Sequence, residues 1–338
     1  MKLQRDIDDR EREATTGPGL GALVLAAALS LILAGCGGGS SGSDDEVADD
    51  GGEPSESETQ AADAMKTLSP DAYNVGVAME QASAEATEAV SEVMSDGMTT
   101  SSTRTCVNGG EIVYTYQDEN PEQDALAAGD RITAEYLSCV RPNTVQLDGT
   151  LALTIDQRSG EPTFDDVDWE LSFTQEAIDF TATLDGYGYA LDGTKSVNAS
   201  FDAETGVTRY ALTTPEIAYT RLDRERTLAA TEVLIERTID QAAPANYTSQ
   251  RDYILIGRTP LGNDQTLTAI TEPPFAGIGG SPPESGRLEM FNGLGQTLIV
   301  EALGGGSVRI ALDTNADGDF NDFLDQDIIT TFEEWIDD

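Results

Sequence analysis

The 338 residues carry 62 acids against 19 bases and no histidine, a formal charge of −43. Without histidine neither a Ser-His-Asp triad nor a Cys-His pair can form, and the imidazole ligands usual for zinc, copper or iron are missing. So anionic a surface repels nucleic acid and anionic headgroups, which need clustered Lys and Arg, and self-repulsion at low salt fits a saline setting or a divalent-cation ligand.

Residues 1–35 read as a lipoprotein signal peptide. No side chain from Gly19 to Gly35 is charged, and the apolar core has the length of an h-region, short of the roughly 20 residues that span a bilayer. Leu33-Ala34-Gly35-Cys36 closes it as a lipobox, so Cys36 is expected to carry diacylglycerol and anchor the chain to a membrane. The start of the chain is atypical, with five acids (Asp6, Asp8, Asp9, Glu11, Glu13) against four bases (Lys2, Arg5, Arg10, Arg12). Signal peptides usually begin net positive, and the competing reading is an ordinary transmembrane anchor with Cys36 incidental. Residues 36–60 hold the lipidated cysteine and an acidic Gly/Ser spacer. It is too polar to bury a core and is expected to be disordered, holding the folded part off the membrane.

Residues 61–98 form the helical candidate. Ser69-Pro70-Asp71 offers an N-cap with proline at the first helical position, and Ser95-Asp96-Gly97 a stop. Val75, Met79, Ala82, Ala86, Val90 and Val93 recur at helical spacing, with Glu80, Glu85, Glu88 and Glu92 mostly off that stripe. A stripe this rich in alanine suits docking on a sheet.

Residues 99–270 read as a mainly β domain. Strands are expected at Ile112–Tyr116, Ile132–Val140, Val145–Ile155, Trp169–Phe173, Ile178–Leu184, Thr208–Leu212, Glu216–Leu222, Leu228–Ile239 and Asp252–Gly257, many alternating apolar with polar residues. Asp148-Gly149, Asp185-Gly186 and Asp192-Gly193 mark turns or bulges, two of them within a repeated Leu-Asp-Gly-Thr. With no helices between, the strands imply an antiparallel meander, either a curved sheet or a barrel. Cys106 and Cys139 are the pair left once Cys36 is lipidated. In an oxidising envelope they are expected to bond, the alternative being two buried thiols. Residues 271–285, rich in Pro and Gly, read as a linker. Residues 286–338 read as a small C-terminal β unit with strands at Arg287–Phe291, Thr297–Ala302, Ser307–Leu312 and Asp327–Phe332.

That last unit carries the sharpest motif. Asp313, Asn315, Asp317 and Asp319 alternate around Gly318, an oxygen-rich pattern suited to Ca2+. The EF-hand's twelfth position is Leu324, with Asp325 one place later, and a strand precedes the loop, so a hairpin is expected. It reads as a structural calcium loop through Asp313, Asn315, Asp317, Asp319 and Asp325, or as an acidic turn closed by its own hydrogen bonds. Elsewhere Asp165, Asp166, Asp168 and Glu170 flank Trp169, where a sugar could stack unless the indole points into the core. Trp335 is expected to close the core of the last unit.

Cys106-Val-Asn-Gly-Gly, Gly129-Asp130-Arg-Ile-Thr, Tyr136-Leu-Ser-Cys139 and Leu147-Asp-Gly149 resemble stretches of a group of uncharacterised envelope lipoproteins of Gram-negative bacteria. The tail does too, in Pro283-Glu-Ser-Gly286-Arg-Leu, Asp313-Thr-Asn-Ala-Asp-Gly318-Asp and Trp335. The likeness covers about residues 103–156 and 282–338. It implies the disulfide, a β-rich fold and the acidic hairpin, and no known activity. Gly37, instead of Asp, after the cysteine implies the outer membrane, facing the periplasm. The expectation is therefore a non-enzymatic, lipid-anchored envelope protein with a structural or binding role and an envelope protein or glycan as partner. The alternatives are a carrier of a lipid or other apolar ligand inside the curved sheet, or a carbohydrate-binding or carbohydrate-cleaving module around Trp169.

Overall fold

The computed structural model describes residues 55–338 apart from 120–124, 143, 161, 163–166, 185–186, 242–245, 259–263, 280, 321–324 and 338. Cys36, the lipobox and the Asp185-Gly186 turn lie outside the described residues, as do Asp165 and Asp166.

Helix α1, Glu56–Ser95, starts well before the expected cap. Ser55 Oγ accepts the Glu58 N–H at 3.3 Å while Glu58 Oε2 accepts the Ser55 N–H at 2.6 Å, a capping box. Composition alone assigns these residues to the disordered spacer, and that boundary is corrected: 56–60 are helical. The cap expected at Ser69 is corrected as well, because Pro70 lies inside the helix. Proline has no N–H for the Lys66 carbonyl, and the Ser69 hydroxyl donates to it instead at 2.9 Å. From Ala72 to Gly76 every residue is buried. A helix lying on a flat sheet would leave one side wet; this one has protein around it.

That surround is a single antiparallel meander in the order β1 to β10 and then β12 to β15, with β11 paired to β9. The strands are β1 Ser101–Thr105, β2 Glu111–Gln117, β3 Arg131–Val140, β4 Gln146–Ser159, β5 Trp169–Leu184, β6 Tyr187–Asp202, β7 Val207–Arg221 and β8 Arg226–Asp240. They continue as β9 Asn246–Arg258, β10 Asp264–Thr271, β11 Phe275–Ile278, β12 Arg287–Asn292, β13 Thr297–Gly304, β14 Ser307–Asp313 and β15 Gln326–Thr331, before a short helix α2, Phe332–Asp337. The sheet is curved and not closed, so the barrel alternative is set aside. Alternate residues such as Ile112, Tyr136, Leu151, Phe173, Leu212, Tyr253, Met290 and Val300 point inward, and with Met65, Val75, Met79, Ala86 and Val90 of α1 they make one core. The apolar stripe read from the sequence is all buried there.

Curvature comes from a line of irregularities across the sheet. Register shifts fall at Tyr136/Cys139, Asp148/Thr150, Ala177/Phe180, Gly193/Ser196 and Thr231/Leu234. Such bulges bend and twist a sheet locally. Both Leu-Asp-Gly-Thr copies lie at these shifts in mid-strand. At Gly149, φ is +94 and a Cβ would lie 2.1 Å from the Asp179 carbonyl oxygen, so only glycine fits beneath the neighbouring bulge. Bulges interrupt alternation without ending a strand. Trp169–Phe173 and Ile178–Leu184 are therefore one strand, β5, and Thr208–Leu212 and Glu216–Leu222 are one strand, β7.

The division at residues 271–285 is also corrected. Phe275 is buried in β11, and β10 pairs directly with β12, Thr268 opposite Phe291 and Ile270 opposite Glu289. The Pro and Gly residues shape an excursion from a continuous sheet, and residues 286–338 extend that sheet. Cys106 and Cys139 are bonded, with Cα atoms 5.4 Å apart across 33 positions. Replacing both by alanine should lower unfolding stability by about 3–4 kcal/mol, read from urea unfolding of oxidised protein. Equal stability of variant and wild type would remove the bridge from the account of this fold.

Candidate functional site

The acidic loop follows β14. Asp313 is buried and accepts the Ala316 N–H at 2.7 Å on Oδ1 and the Gly318 N–H at 3.0 Å on Oδ2. Asn315 Oδ1 accepts from Asp317 N at 3.2 Å, and Asp317 Oδ1 from Asp319 N at 2.7 Å. Asp317 Oδ2 also takes the Asn315 amide at 2.9 Å, and Asp325 Oδ1 the Thr314 N–H at 2.9 Å. The loop thus draws Asp313, Asn315, Asp317, Asp319 and Asp325 into one turn, with side-chain oxygens turned on its own backbone donors. Among the described residues no group of three or more Asp, Glu or Cys is placed to hold a metal ion. Asn321 and Asp322 are outside the described residues.

A second constellation was not legible from sequence spacing. Four of the 19 bases lie in residues 1–35, and six arginines among the other 15 meet acids on α1. Asp71 is buried and pairs with Arg226 at 2.7 Å and Arg221 at 3.6 Å. Burial pushes its carboxyl up, against the pull of both guanidinium groups. Glu85 and Glu88 hold Arg141, Glu88 and Glu92 hold Arg104, and Tyr136 donates to Glu85 at 3.3 Å. Burial raises the Glu85 carboxyl also, despite Arg141. The acids expected off the apolar stripe thus face the sheet as well, because the sheet curls around the helix.

The centre of this seam is Glu80. Its Oε1 accepts from Arg251 Nε at 2.8 Å and from the Ser249 hydroxyl, and its Oε2 from Arg237 at 2.9 Å. Burial opposes ionisation here, but Arg251, Arg237 and the hydrogen bonds overcome it and hold the carboxyl below its ordinary value. Arg251 lies over the Tyr73 ring at 4.8 Å and donates to the Tyr73 carbonyl at 3.2 Å. A Cβ at Gly76 would come within 2.3 Å of Arg251 Cδ, so the glycine inside α1 makes room for this arginine. That glycine was the signal the sequence offered. Next to Glu80, buried Lys195 donates to the Met79 carbonyl at 2.6 Å, and burial pushes its amine down to about 7 against the pull of Glu80. Gln175 and Tyr253 donate to the Ala82 and Ala72 carbonyls.

These groups close on one another and on the helix backbone. Chemically the seam holds α1 in register inside the sheet. Trp169 is buried against Phe201 with ring centroids 6.3 Å apart, so it offers no stacking face for a sugar. Asp168 accepts the Ala203 N–H at 2.8 Å. Trp335 is buried against Tyr73 and Phe332 and donates to Ser69 on α1 at 3.1 Å, so it closes a core shared with the helix. No described helix is long and apolar enough to cross a membrane. No protein-family model, curated protein or solved structure matches the chain.

Proposed function

We propose that the chain is a lipid-anchored cell-envelope protein, periplasm-facing at the outer membrane, with a structural or binding role and no catalytic chemistry. The observation that carries this reading is the filled interior. Helix α1 occupies the inner face of the sheet, and its buried acids Asp71 and Glu80 are paired with arginines of the strands. A carrier would need that face for its ligand, so the carrier reading is the weaker one, and what remains for partners is the outer surface. The lipobox at Cys36 and the short apolar run before it support the anchor, and the resemblance to Gram-negative envelope lipoproteins supports the location. The acidic loop enters this reading as a hairpin closure.

The test is fractionation of cells expressing the wild type and Cys36→Ser. The wild type should partition with outer membranes and incorporate radiolabelled palmitate, and the variant should appear soluble in the periplasm. A variant that stays with membranes as the wild type does would overturn the lipid anchor.

A further inference from the structure

We propose that β1, the first edge of the open sheet, is where an extended, basic segment of another polypeptide pairs and adds a strand. The phase of the ladder exposes its backbone. Tyr116 N–H donates to the Thr100 carbonyl at 3.2 Å and Cys106 N–H to the Gly110 carbonyl at 3.0 Å. These bonds bracket β1 and turn its even-numbered residues toward β2. The N–H and C=O groups of Ser101, Thr103 and Thr105 therefore point away from the sheet. All three residues are exposed, and no hydrogen bond from the described residues reaches those groups. Sheet edges are ordinarily blunted by proline, lysine, a bulge or a covering element. Among the described residues β1 has none of these. It pairs with β2 without a register shift, and its one charged residue, Arg104, turns to Glu88 and Glu92 on α1. The opposite edge, β15, is partly closed, because Glu334 Oε2 accepts the Thr331 N–H at 3.3 Å.

The occupant follows from the chemistry of the edge. A row of alternating backbone donors and acceptors fits an extended chain in register. Charge then selects its side chains. Residues paired opposite Ser102 and Arg104 would face α1, where a groove of about 470 Å3 is lined by Gln81, Glu85, Glu88, Arg104, Thr105 and Arg141. Glu111 lies opposite Thr105 on β2. Four acids, Glu85, Glu88, Glu92 and Glu111, thus border the edge against two guanidinium groups, Arg104 and Arg141, in a chain of formal charge −43. That excess attracts a cationic strand and repels a second copy of this chain. The inference rests on the binding role proposed above, to which it gives a partner, and not on the lipid anchor.

The test is fluorescence anisotropy of a labelled nonapeptide, Lys alternating with Thr and Val, titrated with the full chain in neutral detergent at about 0.05 M NaCl. The peptide should bind, and its counterpart with Glu for Lys should bind at least about tenfold more weakly. Thr103→Pro should weaken the Lys peptide at least about tenfold, by removing one N–H and crowding the incoming strand. The fold tolerates that proline because the Thr103 N–H does not bond β2, and a matching circular dichroism spectrum checks it. N-methylation throughout the peptide keeps its charge and removes every backbone donor. It should abolish binding with the protein unaltered, so the test stands even where Thr103→Pro misfolds. A Lys peptide that does not bind overturns the proposal. Binding that survives both changes is held by charge alone and overturns it too, as does equal binding of the Glu peptide. Self-association lost in Thr103→Pro, without peptide capture, would give the edge to a second copy and overturn it as well.

Discussion

Glu80→Gln is expected to lower unfolding stability by about 3–5 kcal/mol, the cost of leaving a buried charge without its partner. The glutamine keeps the shape of the side chain but removes the charge that Arg251 and Arg237 face at 2.8 and 2.9 Å. Arg251 is itself buried and held over Tyr73, so it cannot turn out to solvent. Urea unfolding at neutral pH measures the loss. The sign of the pH dependence follows from the lowered Glu80 carboxyl. Its stabilising contribution is complete above the unfolded value of about 4.3 and is lost as pH falls through the lower folded value. The variant should therefore lack that part of the wild type's acid loss. Replacing Glu80 by Leu and Arg251 by Met together should recover part of the stability, because the enclosed Arg251 charge is then gone and only the part-exposed Arg237 is left without its acid. A single variant as stable as the wild type would show that the seam is incidental.

Lys195→Met is expected to do the opposite and stabilise the fold at neutral pH, by about 1–4 kcal/mol. The wild-type amine is enclosed, bonds the Met79 carbonyl, and is pushed down to about 7 by burial. In the unfolded chain it titrates near 10.4, so between about 7 and 10 the unfolded state binds more protons than the folded one. Stability of the wild type should then rise with pH across that window, by up to about 1.4 kcal/mol per pH unit from this group. Methionine removes the slope and fills the volume. The carbonyl it leaves still accepts the Ser83 hydroxyl at 2.8 Å. Urea unfolding of both proteins at several pH values reads the two effects together. A wild-type curve that is flat above neutrality, or a less stable variant, would mean the lysine is charged in place and well compensated.

Much of the architecture was legible from periodicity. The alanine-rich stripe from Val75 to Val93 marked a helix that docks, and period-two runs marked most of the strands. The missed strands are β1, β6, β10 and β11, and two have a cause in composition: β6 is dense in Gly, Asp, Ser and Asn, and β11 is bracketed by prolines. Asp148-Gly149 and Asp192-Gly193 announced local irregularity, but a dipeptide does not say whether the chain reverses or merely bulges. The acidic loop was visible as spacing, and its side chains are turned on its own N–H groups. The charged seam was not visible, because Glu80 pairs with Arg251 171 positions away.

By itself the sequence determined the class of the fold, its lack of imidazole chemistry and its excess of acid. These depend on composition and on side-chain period, both local properties of a chain. Only the tertiary structure decided that the sheet stays open, that residues 286–338 continue it, and that α1 runs within it. Each of those depends on register between distant segments. Register is set where bulges bend the sheet enough for arginines on β7, β8 and β9 to reach acids on the helix.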